Sequence, residues 1–163
     1  PGDVLIALAS NGAHTNGYAY LRSALEWLPL DAVPVGWDCT LLDALLISHR
    51  SYLHVLSPVL AGDAVKALVH ITGGGLIENI PRVLPAGCAA TVRLGSWPLP
   101  PLFSLVREVS SLDDDELHRT LNMGVGMVVV AARNDVEAVR KAIDEDTWII
   151  GEITEGPCEV RLV

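Results

Sequence analysis

The chain is predicted to fold as a layered α/β (α+β) single domain, a mixed sheet covered by helices. Three observations carry that prediction. Short, mainly apolar runs at residues 4–9, 65–71, 127–131 and 148–153 have the length of strands and apolar residues on both alternating faces, which requires cover on both sides. Helix-spaced segments alternate with these runs, and no internal repeat is present. The chain has 163 residues, half of them apolar and only 19% charged, which is enough for one real core and excludes disorder.

The elements follow in order. Residues 4–9 (VLIALA) form a strand that breaks at the Ser10-Asn11-Gly12 turn signal. Over residues 16–28, Tyr18, Leu21, Leu25 and Leu28 recur at three- and four-residue steps, so an amphipathic helix is expected. Pro29, Pro34 and Gly36 mark a loop, and residues 41–47 and 51–60 then read as one short and one longer helix. Gly62-Asp63 punctuates the chain before a buried strand at 65–71. After Thr72-Gly73-Gly74-Gly75, the residues Leu76, Ile77, Ile80, Val83 and Leu84 keep helical spacing, but Pro81 makes that helix short or late. Residues 89–94 read as a strand. A helix begins at Pro98, Pro100 and Pro101, runs through Val109 and stops at Ser110-Ser111. Residues 113–121 form a helix with four acids in its first turn, favourable at the positive end of the helix dipole. A strand at 123–132 is entered through glycines, Asn134 or Asp135 caps a helix to Ile143, and residues 148–154 and 159–163 close the fold as strands.

Charge and composition narrow the function. Eleven basic against twenty acidic residues give a net charge of −9 with no Lys/Arg run, which argues against nucleic acid or an anionic membrane as partner. No apolar run approaches the roughly 18–20 residues of a membrane span. Cys39, Cys88 and Cys158 lack any C-x-x-C pair, so neither a disulfide framework nor a structural zinc site is expected, and a reducing cytoplasm fits best. The opening Pro1-Gly2-Asp3 enters an apolar run at once, which reads as a piece of a longer protein cut at a domain boundary.

Three segments are candidates for chemistry. Residues 11–17, including His14 and Asn16, lie between a buried strand and a helix start, where ligands collect. The same residues also serve as a plain turn with a solvated histidine. Thr72-Gly73-Gly74-Gly75 follows a strand and precedes a helix. Its amides converge on an oxyanion in one reading and form a flexible turn in the other, and the P-loop lysine is missing. Asn122-Met123-Gly124-Val125-Gly126 leads into a strand, its glycines marking close packing or a bulge, or else an approaching ligand. His49, His54, His70 and His118 have no metal-ligand spacing, so no metal site is expected and each reads as structural unless the fold gathers them. Asp113, Asp114, Asp115 and Glu116 read as a solvated helix start, and neither a G-x-S-x-G elbow nor a Cys/His signature occurs.

Five separated motifs carry a resemblance over residues 2–153: GDVLIALASNGAHTNGY from Gly2, HITGGGLIENIPRVLP from His70, GSWPLPPLF from Gly95, HRTLNMGVGMVVV from His118 and WIIGEI from Trp148. In this order they closely resemble the C-terminal half of the aminoimidazole ribonucleotide synthetase (phosphoribosylformylglycinamidine cyclo-ligase) family of purine biosynthesis. The resemblance implies an α/β layered domain with partial likeness to a ferredoxin-like sheet. It also implies that the whole chain, residues 1–163, is the C-terminal half of a two-domain, cytoplasmic homodimer whose N-terminal half is absent from this chain. In that family the formamide oxygen of formylglycinamidine ribonucleotide is phosphorylated, an amidine nitrogen attacks that carbon, and phosphate leaves. ATP and Mg²⁺ are then expected to bind mainly through the N-terminal half, so this chain alone is expected to be inactive. The resemblance makes His14, with Asn16 as its polar neighbour, and Asn16 itself catalytic candidates, and Arg50, Thr72, Gly73, Gly74, Gly75 and Asn122 substrate- or phosphate-binding candidates. His14 would act either as a proton relay for the amidine or as a cation beside the phosphorylated oxygen.

Two departures stand out. Where the family reads close to P-T-R-I-Y-V-K, residues 48–54 read SHRSYLH. Arg50 and Tyr52 match, and His54 occupies the lysine position. His118 and Leu121 stand where the family tends to have Tyr and Phe. Other readings are a half of a related synthetase or kinase, such as a selenophosphate synthetase or thiamine-phosphate kinase, or a ligand-binding domain without catalysis.

Overall fold

The computed structural model describes residues 1–163. Six strands form one mixed sheet: β1 (Val4–Ala9), β2 (Val65–His70), β3 (Cys88–Val92), β4 (Val125–Ala131), β5 (Thr147–Glu155) and β6 (Val160–Leu162), in the order β2-β4-β1-β5-β3-β6. All pairs are antiparallel except β3–β6. The predicted fold class therefore holds.

Strand periodicity divides the core. On one face Val4, Ile6 and Leu8 meet Val129, Ala131 and helix α7 (Val136–Ile143) through Val136, Val139 and Ile143. On the other, Leu5 and Ala7 meet Val128, Val130, Trp97 and helix α4 (Gly75–Asn79), whose Leu76 leads into Ile80. β1 and β4 are covered on both faces and read as unbroken apolar runs for that reason. A third cluster packs α1 (Tyr18–Ala24), α2 (Leu41–Leu46), α5 (Pro101–Val109) and α6 (Asp114–Thr120) around Phe103, Leu21 and Met123. No helix is long and apolar enough to cross a membrane.

Three expectations are corrected. β2 is an edge strand rather than a buried one. Only Val69 of it is buried, and Lys66, bonded to Asp3 at 2.6 Å, places a charge on the open edge, a common guard against edge pairing. The longer helix at 51–60 is broken into α3 (Leu53–Leu56) and a 3-10 turn (Val59–Ala61), because Pro58 has no N–H to continue the ladder. The helix at 16–28 shrinks to α1, started by Gly17 in the left-handed region (φ 75°), where an added Cβ would overlap the Leu121 side chain. As anticipated from Pro81, α4 ends at Asn79 and passes into a 3-10 turn.

Candidate functional site

β1 and β2 both run antiparallel to β4, so their C-terminal ends and the entry of β4 meet at one end of the sheet. The three glycine-containing segments of the sequence therefore converge. Asn122 ties two of them together: its Oδ1 accepts from Ser10 Oγ and from the Gly124 amide, and its Nδ2 donates to the Gly12 carbonyl, each at 2.9 Å. Three of its four hydrogen-bonding positions are thus used inside the chain, and the residue is buried. Gly126 is the extra residue of a bulge in β4, opposite the register shift between Leu8 and Ala9. A Cβ there would overlap the Tyr52 hydroxyl and come within 2.7 Å of His14 Cε1, so the glycine makes the room these two rings occupy. Close packing is the reading that holds for this segment.

His14 is buried and sits in the left-handed region (φ 58°), a conformation that costs about 1 kcal/mol or more for a residue with a Cβ. That turn folds its ring back over Asn11, whose Oδ1 lies 3.0 Å from His14 Nε2. Asn11 Nδ2 donates to the Ser48 carbonyl and its Oδ1 accepts from the Arg50 amide, so the amide orientation is settled. His14 Nε2 must then be the donor, and Nδ1 carries the lone pair. Nδ1 is buried without a hydrogen-bond partner. The polar neighbour of His14 is therefore Asn11 and not Asn16, a correction that follows from the left-handed turn.

The His14 ring is stacked on His49 (centroids 3.8 Å apart, planes at 12°) and meets Tyr52 edge-on. His49 Nε2 lies 3.2 Å from His70 Nε2, at the exposed end of β2. Tyr52 donates to the Ala9 carbonyl at 2.7 Å, and burial raises its pKa. Arg50 lies over the Tyr52 ring and forms a two-pronged ion pair with Glu145 at 2.9 and 2.7 Å, so its charge is directed at the border of the histidine group. The fold thus gathers His14, His49 and His70, which the spacing did not foretell, because they come from a β1 exit, a loop and an edge strand. His118, by contrast, is a packed helix residue bonded to the Asp114 carbonyl at 2.7 Å.

Asn16 faces the second segment: a Cβ on Gly73 would lie 3.4 Å from its Oδ1. The Thr72–Gly75 loop is shaped by buried Asn79, which the sequence reading missed. Its Nδ2 donates to the Gly75 and Gly73 carbonyls at 2.8 and 3.2 Å, and its Oδ1 accepts from Thr72 Oγ1 at 3.0 Å. The Gly73 and Gly74 amides have no backbone acceptor within the chain. The Glu78 carboxylate folds over Gly74 and pairs with Arg119 at 3.1 Å. The acids at 113–116 do not form a Mg²⁺ site. Asp113 caps α6 through the Glu116 amide, Asp114 pairs with Arg107, and the one group of metal-ligating side chains that converges is the three histidines.

Burial, then the neighbouring His49, His70 and Arg50, lower the His14 pKa from the ordinary 6.5 to about 4. Well above pH 6.5 neither the folded nor the unfolded ring binds a proton, and His14 has no effect on pH dependence. Between pH 6.5 and 4 the unfolded chain takes up a proton that the native site refuses, so stability falls with pH by about 2 kcal/mol after solvent screening. Urea unfolding at pH 7 and pH 4.5 is expected to show a larger loss for the parent chain than for His14→Gln. Parallel losses would contradict this role.

The AIR synthase related protein, C-terminal domain, family matches residues 1–163. The chain is similar to the phosphoribosylformylglycinamidine cyclo-ligase of Methylobacillus flagellatus (41% identity, 99% of this chain, 48% of the relative) and that of Cupriavidus pinatubonensis (44%, 95% and 45%). It spans about half the length of these relatives. Among solved structures, the hydrogenase maturation protein HypE of E. coli aligns over 99% of this chain and 46% of that chain with a TM-score of 0.61 and 26% identity. Thiamine-monophosphate kinase of Stenotrophomonas maltophilia aligns over 99% and 50% at a TM-score of 0.61 and 21% identity, a likeness of fold. With its whole length, residues 1–163, matched, the chain belongs to the AIR synthase related protein family and corresponds to its C-terminal domain.

Proposed function

We propose that this chain is the substrate-closing half of an ATP-dependent cyclo-ligase that converts formylglycinamidine ribonucleotide to aminoimidazole ribonucleotide in purine biosynthesis. The observation that carries the reading is the meeting of His14, Asn16 and the Thr72–Gly75 loop at one sheet end, in a chain 41–44% identical to cyclo-ligases. When bound, ATP would supply the phosphoryl group that activates the formamide oxygen and Mg²⁺ would offset its charge; the family resemblance assigns both mainly to the N-terminal half.

The chain's own residues have separate tasks. The His14 ring, neutral at pH 7 and held through Nε2 by Asn11, accepts at Nδ1 the proton released as the amidine nitrogen attacks. The unpaired Gly73 and Gly74 amides, with Asn16 beside them, hold an anionic group of the nucleotide, and Arg119 offsets the nearby Glu78. Arg50 borders the site as a paired group, its charge balanced by Glu145. Trp27, Val35, Leu46, Leu53 and Leu60 are all exposed, and apolar side chains left open between residues 27 and 60 suit docking on the N-terminal half or on a second copy in a homodimer. The unpaired cysteines agree with a reducing cytoplasm.

The test is turnover of formylglycinamidine ribonucleotide and ATP by the two-half protein carrying this chain, with this chain alone expected to be inactive. Binding without ring closure would favour a non-catalytic or kinase-type half. Gly73→Val is expected to raise the Michaelis constant about tenfold, or roughly 1.4 kcal/mol. Gly73 is the clean position, since Gly74 lies at φ 99° with Glu78 Cβ only 2.6 Å from an added Cβ. An unchanged constant would reduce the loop to a turn.

A further inference from the structure

We propose that His14, His49 and His70 form a binding site for a divalent transition-metal ion of the Zn²⁺ class, with a fourth position open to solvent. One ligand nitrogen from each of the three side chains lies within 4.8 Å of the other two. The His49 and His70 Nε2 atoms are 3.2 Å apart, close to the roughly 3.3 Å edge of a tetrahedron with Zn–N bonds of about 2.0–2.1 Å. His14 contributes the buried, unpartnered Nδ1. Its other nitrogen donates to Asn11, the outer hydrogen bond that metal-bound imidazoles need to hold tautomer and ring orientation.

Asn11 also braces the second ligand. It bonds the Ser48 carbonyl and the Arg50 amide, pinning the backbone on both sides of His49. An ion lies in the plane of each ring that binds it, so the nearly parallel His14 and His49 rings cannot share one as they stack. Coordination needs the half-buried His49 ring to tilt out of the stack while its Nε2 stays beside His70 Nε2 and its backbone stays in place. The donor set contains imidazole alone and no carboxylate, which favours Zn²⁺, Cu²⁺ or Ni²⁺ over Mg²⁺. The nearby Arg50 charge is balanced by Glu145. Exposed His70 borders an open groove lined by Tyr52, Leu68 and Met127, which leaves room for a water as the fourth ligand.

This site goes beyond the cyclo-ligase reading and stands without it. A metal on Nδ1 and proton acceptance by Nδ1 exclude each other, so occupancy would silence His14 as a base. The test is direct titration of the chelator-stripped chain with Zn²⁺ against a chromogenic competitor, followed by Co²⁺ to read the geometry from visible absorption. One ion per chain is expected, with at least tenfold weaker binding in both His49→Gln and His70→Gln, unchanged binding in His54→Gln, and no displacement by excess Mg²⁺. Both affected side chains reach the surface, so circular dichroism should show these variants folded. Absence of one-to-one binding, equal binding by the His49 and His70 variants, or displacement by Mg²⁺ would overturn the proposal.

Discussion

Replacing His14 by alanine in the two-half enzyme is expected to lower the turnover number by at least tenfold and by up to about 10²–10⁴-fold, the usual worth of a positioned acid–base group. The argument rests on where the lone pair is. Asn11 commits Nε2 to donating, burial keeps the ring neutral, and Nδ1 has nothing else to bond. Removing the ring deletes an orphaned buried acceptor and a left-handed side chain that alanine tolerates no worse than other non-glycine residues, so the fold should survive. The loss should fall mainly on turnover, with a smaller change in the Michaelis constant, as for a group that acts in the transition state. Near-normal turnover would leave His14 as a loop-forming residue and move proton transfer to the other half.

Gly75→Ala is expected to cause the largest loss of stability, about 3 kcal/mol or more. Gly75 lies at φ 55°, and a Cβ there would overlap the His118 carbonyl oxygen and lie 2.8 Å from the Leu121 carbonyl oxygen. Both obstacles are backbone at the end of α6, so relief requires moving a helix and not a side-chain tip. Gly87→Ala supplies the control: its φ is 85°, and nothing lies within 4 Å of the added methyl. It should cost only the left-handed penalty of about 1 kcal/mol. Urea midpoints for the two variants separate packing from conformation. Equal losses would show that the contact between the loop and α6 is not what requires glycine. A difference of this size is a large share of the 5–15 kcal/mol that holds a typical domain.

Much of the scaffold was legible before folding. The run at 4–9 is a strand with the same ends in the structure, and the helix expected to start among Pro98, Pro100 and Pro101 and to run through Val109 spans Pro101–Val109, because hydrophobic period and proline chemistry are local properties. The motif resemblance likewise depends only on residue order. Pairing and coverage are not local. The run at 65–71 reads as a buried strand from Val65, Ala67, Leu68, Val69 and Ile71, yet β2 lies at the edge, since which strand ends up outermost depends on the others. Asn16 appeared to be the partner of His14 because it is near in sequence and shares its motif. The left-handed turn at His14 instead aims the ring at Asn11, and backbone dihedrals of that kind are set by what the ring packs against. His49 and His70 are 21 residues apart and match no ligand spacing. They reach His14 because β1 and β2, on either side of β4, both end at its entry and because Gly126 leaves space there. Such a cluster depends on long-range contacts between chain ends, and single-chain periodicity carries no information about them.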